Sequence, residues 1–152
     1  MKKLIFVCTG NICRSPMAEG LLKHMLGPDY GWEISSAGVC AATGAPASPN
    51  AVEALREQGI KISDHRSRYL TPELIKEADL LVVMTGGHRD AILAMAPESA
   101  GKVFLLKSFG IPQSTTDIYD PFGEALDVYR RVRDEIDAAL PDLILYMMEK
   151  RS

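Results

Sequence analysis

At 152 residues, with 47% apolar and 24% charged residues, the chain has the composition of one soluble globular domain, 1–152. Its net charge of −3 and the lack of any Lys/Arg-rich stripe exclude broad electrostatic binding to nucleic acid. The apolar run after Lys2 and Lys3 ends at Val7, short of the roughly 7–15 residues of a signal-peptide core, and no stretch approaches the ~18 needed to span a bilayer. The expectation is a cytoplasmic protein with no membrane partner.

Taken in chain order, Lys3–Val7 reads as a buried strand. Ser15-Pro16 reads as N-cap and first helical residue, followed by apolar residues at helical spacing until Gly27-Pro28. Trp32–Ser35 reads as a short strand. Ser48-Pro49 opens a helix that ends at Gly59, and Thr71-Pro72 opens a shorter one to about Ala78. "DLLVVM" at Asp79–Met84 suits a central parallel strand buried on both faces. Gly87–Met95 reads as a helix and Lys102–Leu106 as a strand. Residues from Lys107 to Pro121 show no period and read as a long loop. From Glu124 onward apolar residues recur at i+3/i+4, so the spacing predicts a long helix, with Pro141 as a candidate kink. Strands alternate with helices, which gives an α/β fold with a parallel sheet.

The three cysteines, Cys8, Cys13 and Cys40, form neither a disulfide framework nor a zinc-ligand spacing. Cys8 stands where ligands bind in such sheets, at the carboxyl end of the first strand. Cys8-Thr9-Gly10-Asn11-Ile12-Cys13-Arg14-Ser15 then joins strand to helix. A loop there can turn its N–H groups inward, and the positive end of the helix adds to them, making a nest for an oxyanion. Gly10 permits positive φ and Asn11 tolerates it. Arg14 offers a planar fork to two oxygens of a tetrahedral anion. The same field favours the thiolate form of a cysteine held within it, so Cys8 is a candidate nucleophile.

"VCTGNICRSPMAE" resembles the catalytic loop of the low-molecular-weight protein tyrosine phosphatases, which carry C-x₅-R-[ST] near the N-terminus. The resemblance continues through "SSAG", "DHRSRYLTPE" and "DPFG" and so covers the whole chain. It implies a four-stranded parallel sheet with helices on both faces, of the phosphotyrosine phosphatase I-like, flavodoxin-like kind. It implies Cys8 as nucleophile, Arg14 and the loop from Thr9 to Ser15 as phosphate binders, and Asp120 as the proton donor for the leaving phenol. Asp117 is the alternative acid. Asn11, Ser15, Ser36 and His65 resemble the family's loop-supporting network, and Cys13 resembles its redox partner for Cys8. The substrate is then a phosphorylated protein or peptide and the product inorganic phosphate, with no cofactor and no metal. His24 and His88 read as surface residues, and Cys40 as an inert thiol.

Asp120-Pro121 is followed by Phe122 and Gly123 rather than the two tyrosines of eukaryotic-type members. Alanines stand at 41 and 42, where an aromatic is common. Phe122 and Ile12 therefore remain as walls of an open pocket. A sister branch acts on phosphoarginine and resembles this chain in "HRSRYLTPEL", "DPFG" and "DVYRRVRDEI". That branch carries a threonine at the position of Ile12. An apolar side chain there suits a phenyl ring, whereas a site for a guanidinium is built on hydrogen bonds, so phosphotyrosine is the expected substrate and phosphoarginine the alternative. An arsenate reductase of this fold needs late cysteines that the chain lacks after Cys40. A non-catalytic phosphate-binding module would need neither Cys8 nor Asp120.

Overall fold

The computed structural model describes residues 1–111 and 115–150. Among these residues four parallel strands form one sheet: β1 (Lys2–Cys8), β2 (Trp32–Gly38), β3 (Leu80–Val83) and β4 (Val103–Leu105), in the spatial order β2-β1-β3-β4. β1 is central, and Leu4 to Cys8 are buried on both of its faces. Side chains alternate across the strand. Leu4 and Phe6 therefore join a core with Leu80 and Val82, while Ile5 and Val7 join a second core with Leu81 and Val83.

Among the described residues five α-helices cover both faces: α1 (Arg14–Leu26), α2 (Pro49–Arg56), α3 (Pro72–Glu77), α4 (Gly86–Met95) and α5 (Leu126–Glu149). Residues of α1, α2 and α5 pack on the first core, and those of α3 and α4 on the second. Each fully buried Leu, Ile or Val contributes about 1.5–3 kcal/mol relative to exposure, and both faces of the sheet are lined with them. No helix among the described residues is long and apolar enough to cross a membrane.

The expected elements are present with shifted ends. β2 runs to Gly38 rather than Ser35, because it pairs with β1 along its full length, Lys2 with Trp32 through Cys8 with Gly38. α2 ends at Arg56, and a turn closing on left-handed Gly59 follows it. Thr71 caps α3 through its side chain as expected. α5 continues through Pro141. Of the loop read from Lys107 to Pro121, residues 112–114 lie outside the described residues, and 106–108 form a single 3₁₀ turn.

One expectation about α1 is corrected. The helix begins at Arg14 with Cys13 as N-cap, so Ser15 is its second residue and not the cap. The chain curls into helix earlier because the Ser15 hydroxyl is engaged in the loop, 2.8 Å from Cys8 Sγ.

Candidate active site

The loop from Cys8 to Ser15 closes over the carboxyl end of β1. Its carbonyls are tied outward. Val39 N–H donates to Cys8 O, Cys40 N–H to Thr9 O and Ser48 N–H to Ile12 O, at 2.8–3.0 Å. His65 Nε2 lies 2.7 Å from Asn11 O; a carbonyl only accepts, so the His65 proton is on Nε2. Among the described residues no acceptor takes the N–H groups of Gly10, Asn11, Ile12 or Cys13. Those donors are left for the concave side, with the first turn of α1 beneath them.

The left-handed residue of the loop is Asn11, at φ 57°, and not Gly10. Asn11 is held there by its own side chain. Its Nδ2 donates to Ser15 Oγ and to Ser36 Oγ, each at 2.9 Å, and its Oδ1 accepts from Arg68 N–H at 3.0 Å. The Ser36 hydroxyl in turn donates to Glu19 Oε1 at 2.6 Å. Ser15 Oγ, which accepts from Asn11 Nδ2, lies 2.8 Å from Cys8 Sγ, within reach to donate its proton to a thiolate there. The glycine that matters for close approach is Gly38. A Cβ there would collide with Thr9 O and stand 2.9 Å from Asn11 N.

Cys8, Thr9, Gly10, Ile12, Cys13, Arg14, Asp120 and Phe122 line one cavity of about 220 Å³. Arg14 is 4% exposed, and its Nη1 donates to Ile118 O at 2.9 Å. Its Nη2 lies 3.6 Å from Asp120 Oδ2, while its Nε is buried with no partner among the described residues. An orphaned guanidinium donor in a nest of free amides is the donor set of an oxyanion site. Asp120 is half exposed, faces the cavity, and accepts from Phe122 N–H at 3.1 Å. Asp117, the alternative acid, points elsewhere: its Oδ1 accepts from Gly86 N–H at 2.9 Å. Ile12 and Phe122 are the apolar walls, and Ala41 and Ala42 are not among the lining residues.

Cys13 and Cys8 are both free thiols, as is Cys40, which is exposed. Cys13 Sγ is 3.3 Å from the Tyr129 hydroxyl and 3.5 Å from Ser48 Oγ. Burial pushes the Cys13 thiol above its usual range. Burial, and then the bond to Cys13, pushes Tyr129 up to about 12. The Ser48 hydroxyl faces Tyr129 rather than capping α2.

His88 is not a surface residue. It is 5% exposed, in the first turn of α4, with Nδ1 3.2 Å from Thr85 N–H and Nε2 2.9 Å from Thr9 Oγ1. Nδ1 accepts from a backbone donor, so the proton sits on Nε2 and is donated to Thr9. Burial, aided by the nearby Arg14 charge, lowers its pKa to about 4. The sequence hides it because a lone histidine carries no periodic signal. The Thr85–His88 spacing of a capping box was the available clue. Glu19, Ser48, Arg68 and Tyr129 were likewise missed. Among the described residues no cluster of three or more His, Cys, Asp and Glu side chains is arranged to hold a metal ion.

Comparison with known proteins bears on this loop. The model of the family described as "Low molecular weight phosphotyrosine protein phosphatase" matches residues 3–152. The chain is 45% identical to a protein-arginine-phosphatase of Geobacillus stearothermophilus over 141 residues, 93% of each chain. It is 39% identical to the probable low molecular weight protein-tyrosine-phosphatase EpsP of Ralstonia solanacearum over 145 residues, 93% of this chain and 95% of that protein. The solved structure of the YwlE arginine phosphatase from G. stearothermophilus superposes with a TM-score of 0.89 at 42% identity, covering 99% of this chain and 96% of its own.

Proposed function

Because the chain belongs to the low molecular weight phosphotyrosine protein phosphatase family, we propose that it hydrolyses phosphotyrosine in proteins or peptides through a phosphocysteine on Cys8. The observation that carries the reading is the nest itself. Amides from Gly10 to Cys13 and the Arg14 Nε, all without a partner among the described residues, surround a cavity that Cys8 also lines.

In the first step the Cys8 thiolate attacks phosphorus and the P–O bond to the phenol breaks. The loop amides and Arg14 hold the equatorial oxygens, where charge develops. Asp120 gives its proton to the leaving oxygen, whose phenol has a pKa near 10. In the second step Asp120 takes a proton from water as that water attacks the phosphocysteine. Cys8 leaves as thiolate, stabilised by the Ser15 hydroxyl, and inorganic phosphate is released. Asn11, Ser36 and His65 act as supports of the loop, and Ile12 and Phe122 as the walls against the ring.

Cys13 lines the cavity with Cys8 and is the redox partner that caps it as a disulfide under oxidation. Three free cysteines support a reducing, cytoplasmic setting.

A second reading, phosphoarginine as substrate, is favoured by the arginine phosphatases among the relatives. Ile12 weighs against it, since an isoleucine offers a guanidinium no hydrogen bond. Phosphate release from a phosphotyrosyl peptide tests the main reading. Wild type should turn over, whereas C8S and R14A should not. Equal release by C8S would contradict it.

A further inference from the structure

The first turn of α4 is bonded to both of the loops that supply residues to the cavity. On one side His88 Nε2 donates to Thr9 Oγ1, in the loop that carries Cys8. On the other, Gly86 N–H donates to Asp117 Oδ1 at 2.9 Å, three residues before Asp120. Gly86 is the first residue of α4, so its N–H is one that the helix cannot satisfy internally. The Thr85 side chain serves the N–H of His88 instead. Asp117 thus completes the helix end, where its negative charge is also favoured.

The stretch after Asp117 is fastened by its backbone. Ile118 N–H donates to Met84 O at 2.8 Å, and Ile118 O accepts from Arg14 Nη1 at 2.9 Å. Asp120 itself is held loosely. It is half exposed, and its partners among the described residues are Phe122 N–H and the Arg14 guanidinium at 3.6 Å. Its place in the cavity that Cys8 also lines therefore depends on where the preceding residues are pinned.

We propose that Asp117 is a positioning residue for the proton-transfer step. Its bond to Gly86 N–H fixes the acid-bearing loop to the same helical turn that grips the nucleophile loop, and so sets Asp120 relative to the leaving oxygen. The inference rests on the reading of Asp120 as the acid.

The test is kcat/KM over a series of aryl phosphates, from phenyl phosphate to nitro-substituted phenyl phosphates whose phenolates leave unaided. A misplaced acid penalises only poor leaving groups, whereas general damage to the site penalises all of them. D117A should lose about 10-fold or more on phenyl phosphate and less than about 3-fold on the nitro-substituted end. D117N keeps an acceptor oxygen and should stay close to wild type.

G86P removes the donor from the other side and should reproduce the D117A pattern. Proline suits a first helical position, Thr85 before it is extended, and the nearest atom to a Cβ at Gly86 is Asp117 Oδ1 at 3.9 Å. G86P also carries the test should D117A not fold. A uniform loss across the series, or no loss, in the folded variants overturns the proposal. D120N is the reference. If it too fails to steepen the leaving-group dependence, the acid assignment itself falls. If D120N steepens it and D117A and G86P do not, only the positioning role falls.

Discussion

Ser15 Oγ lies 2.8 Å from Cys8 Sγ, and its oxygen is already taken as an acceptor by Asn11 Nδ2. A thiolate sulfur can only accept, so in the proposed reaction the Ser15 hydroxyl donates to it both before attack and after departure. A hydrogen bond to a charged group is worth about 1.5–3 kcal/mol. S15A should lower kcat by about 10- to 100-fold and slow the alkylation of Cys8 by iodoacetate. Unchanged rates in both assays would mean that the bond has no part in the reaction.

His88 ties stability to pH. The unfolded chain takes up its proton near 6.5, whereas the buried folded ring holds off to about 4. Between those values the unfolded state binds more protons, so stability falls as the pH drops from 6.5 to about 4. It levels off below that. The loss approaches about 3 kcal/mol. Urea melts at pH 7 and pH 4.5 should show a smaller difference for H88Q than for wild type. An equal difference would place the acid sensitivity elsewhere.

Cys13 and Cys8 should differ sharply in reactivity. Burial holds the Cys13 thiol protonated, against Tyr129 and Ser48. Alkylation at neutral pH should label Cys8 first. Y129F leaves the Cys13 and Ser48 groups short of a partner and should cost about 1–3 kcal/mol of stability. Peroxide treatment followed by thiol mapping should find a Cys8–Cys13 bridge. Cys8 driven to sulfinic acid with Cys13 still free would contradict the protective role.

Gly38 carries the tightest contact behind the loop. G38A forces a methyl against Thr9 O and Asn11 N, both backbone atoms of the nucleophile loop. Overpacking of this kind costs about 1–3 kcal/mol. The variant should show a lower Tm together with a lower kcat/KM. A normal kcat/KM in a destabilised protein would separate the contact from the geometry of the site.

Much of this was legible in the sequence. The strands and helices announce themselves by period and by Ser-Pro and Thr-Pro starts, and the Cys8-to-Arg14 spacing between a strand and a helix already describes an oxyanion loop. What was not legible is long-range. Thr9 and His88 are 79 residues apart, and Cys13 and Tyr129 are 116 apart. Tyr129 reads from its periodicity only as a core residue of α5, and His88 as an isolated polar side chain. Local rules also misled at Ser15. They offered the usual cap, but the loop assigns the hydroxyl to Cys8. Positive φ was open to Gly10 and Asn11 alike, and it falls at Asn11, whose side chain holds three bonds.

The most direct test of the proposed function is kcat/KM on peptides matched in sequence and bearing either phosphotyrosine or phosphoarginine, with C8A as blank. A clear preference for phosphotyrosine, abolished in C8A and moved toward phosphoarginine in I12T, is the expected result. A preference for phosphoarginine in the wild type would contradict it, and would show that Ile12 does not set the specificity of the pocket.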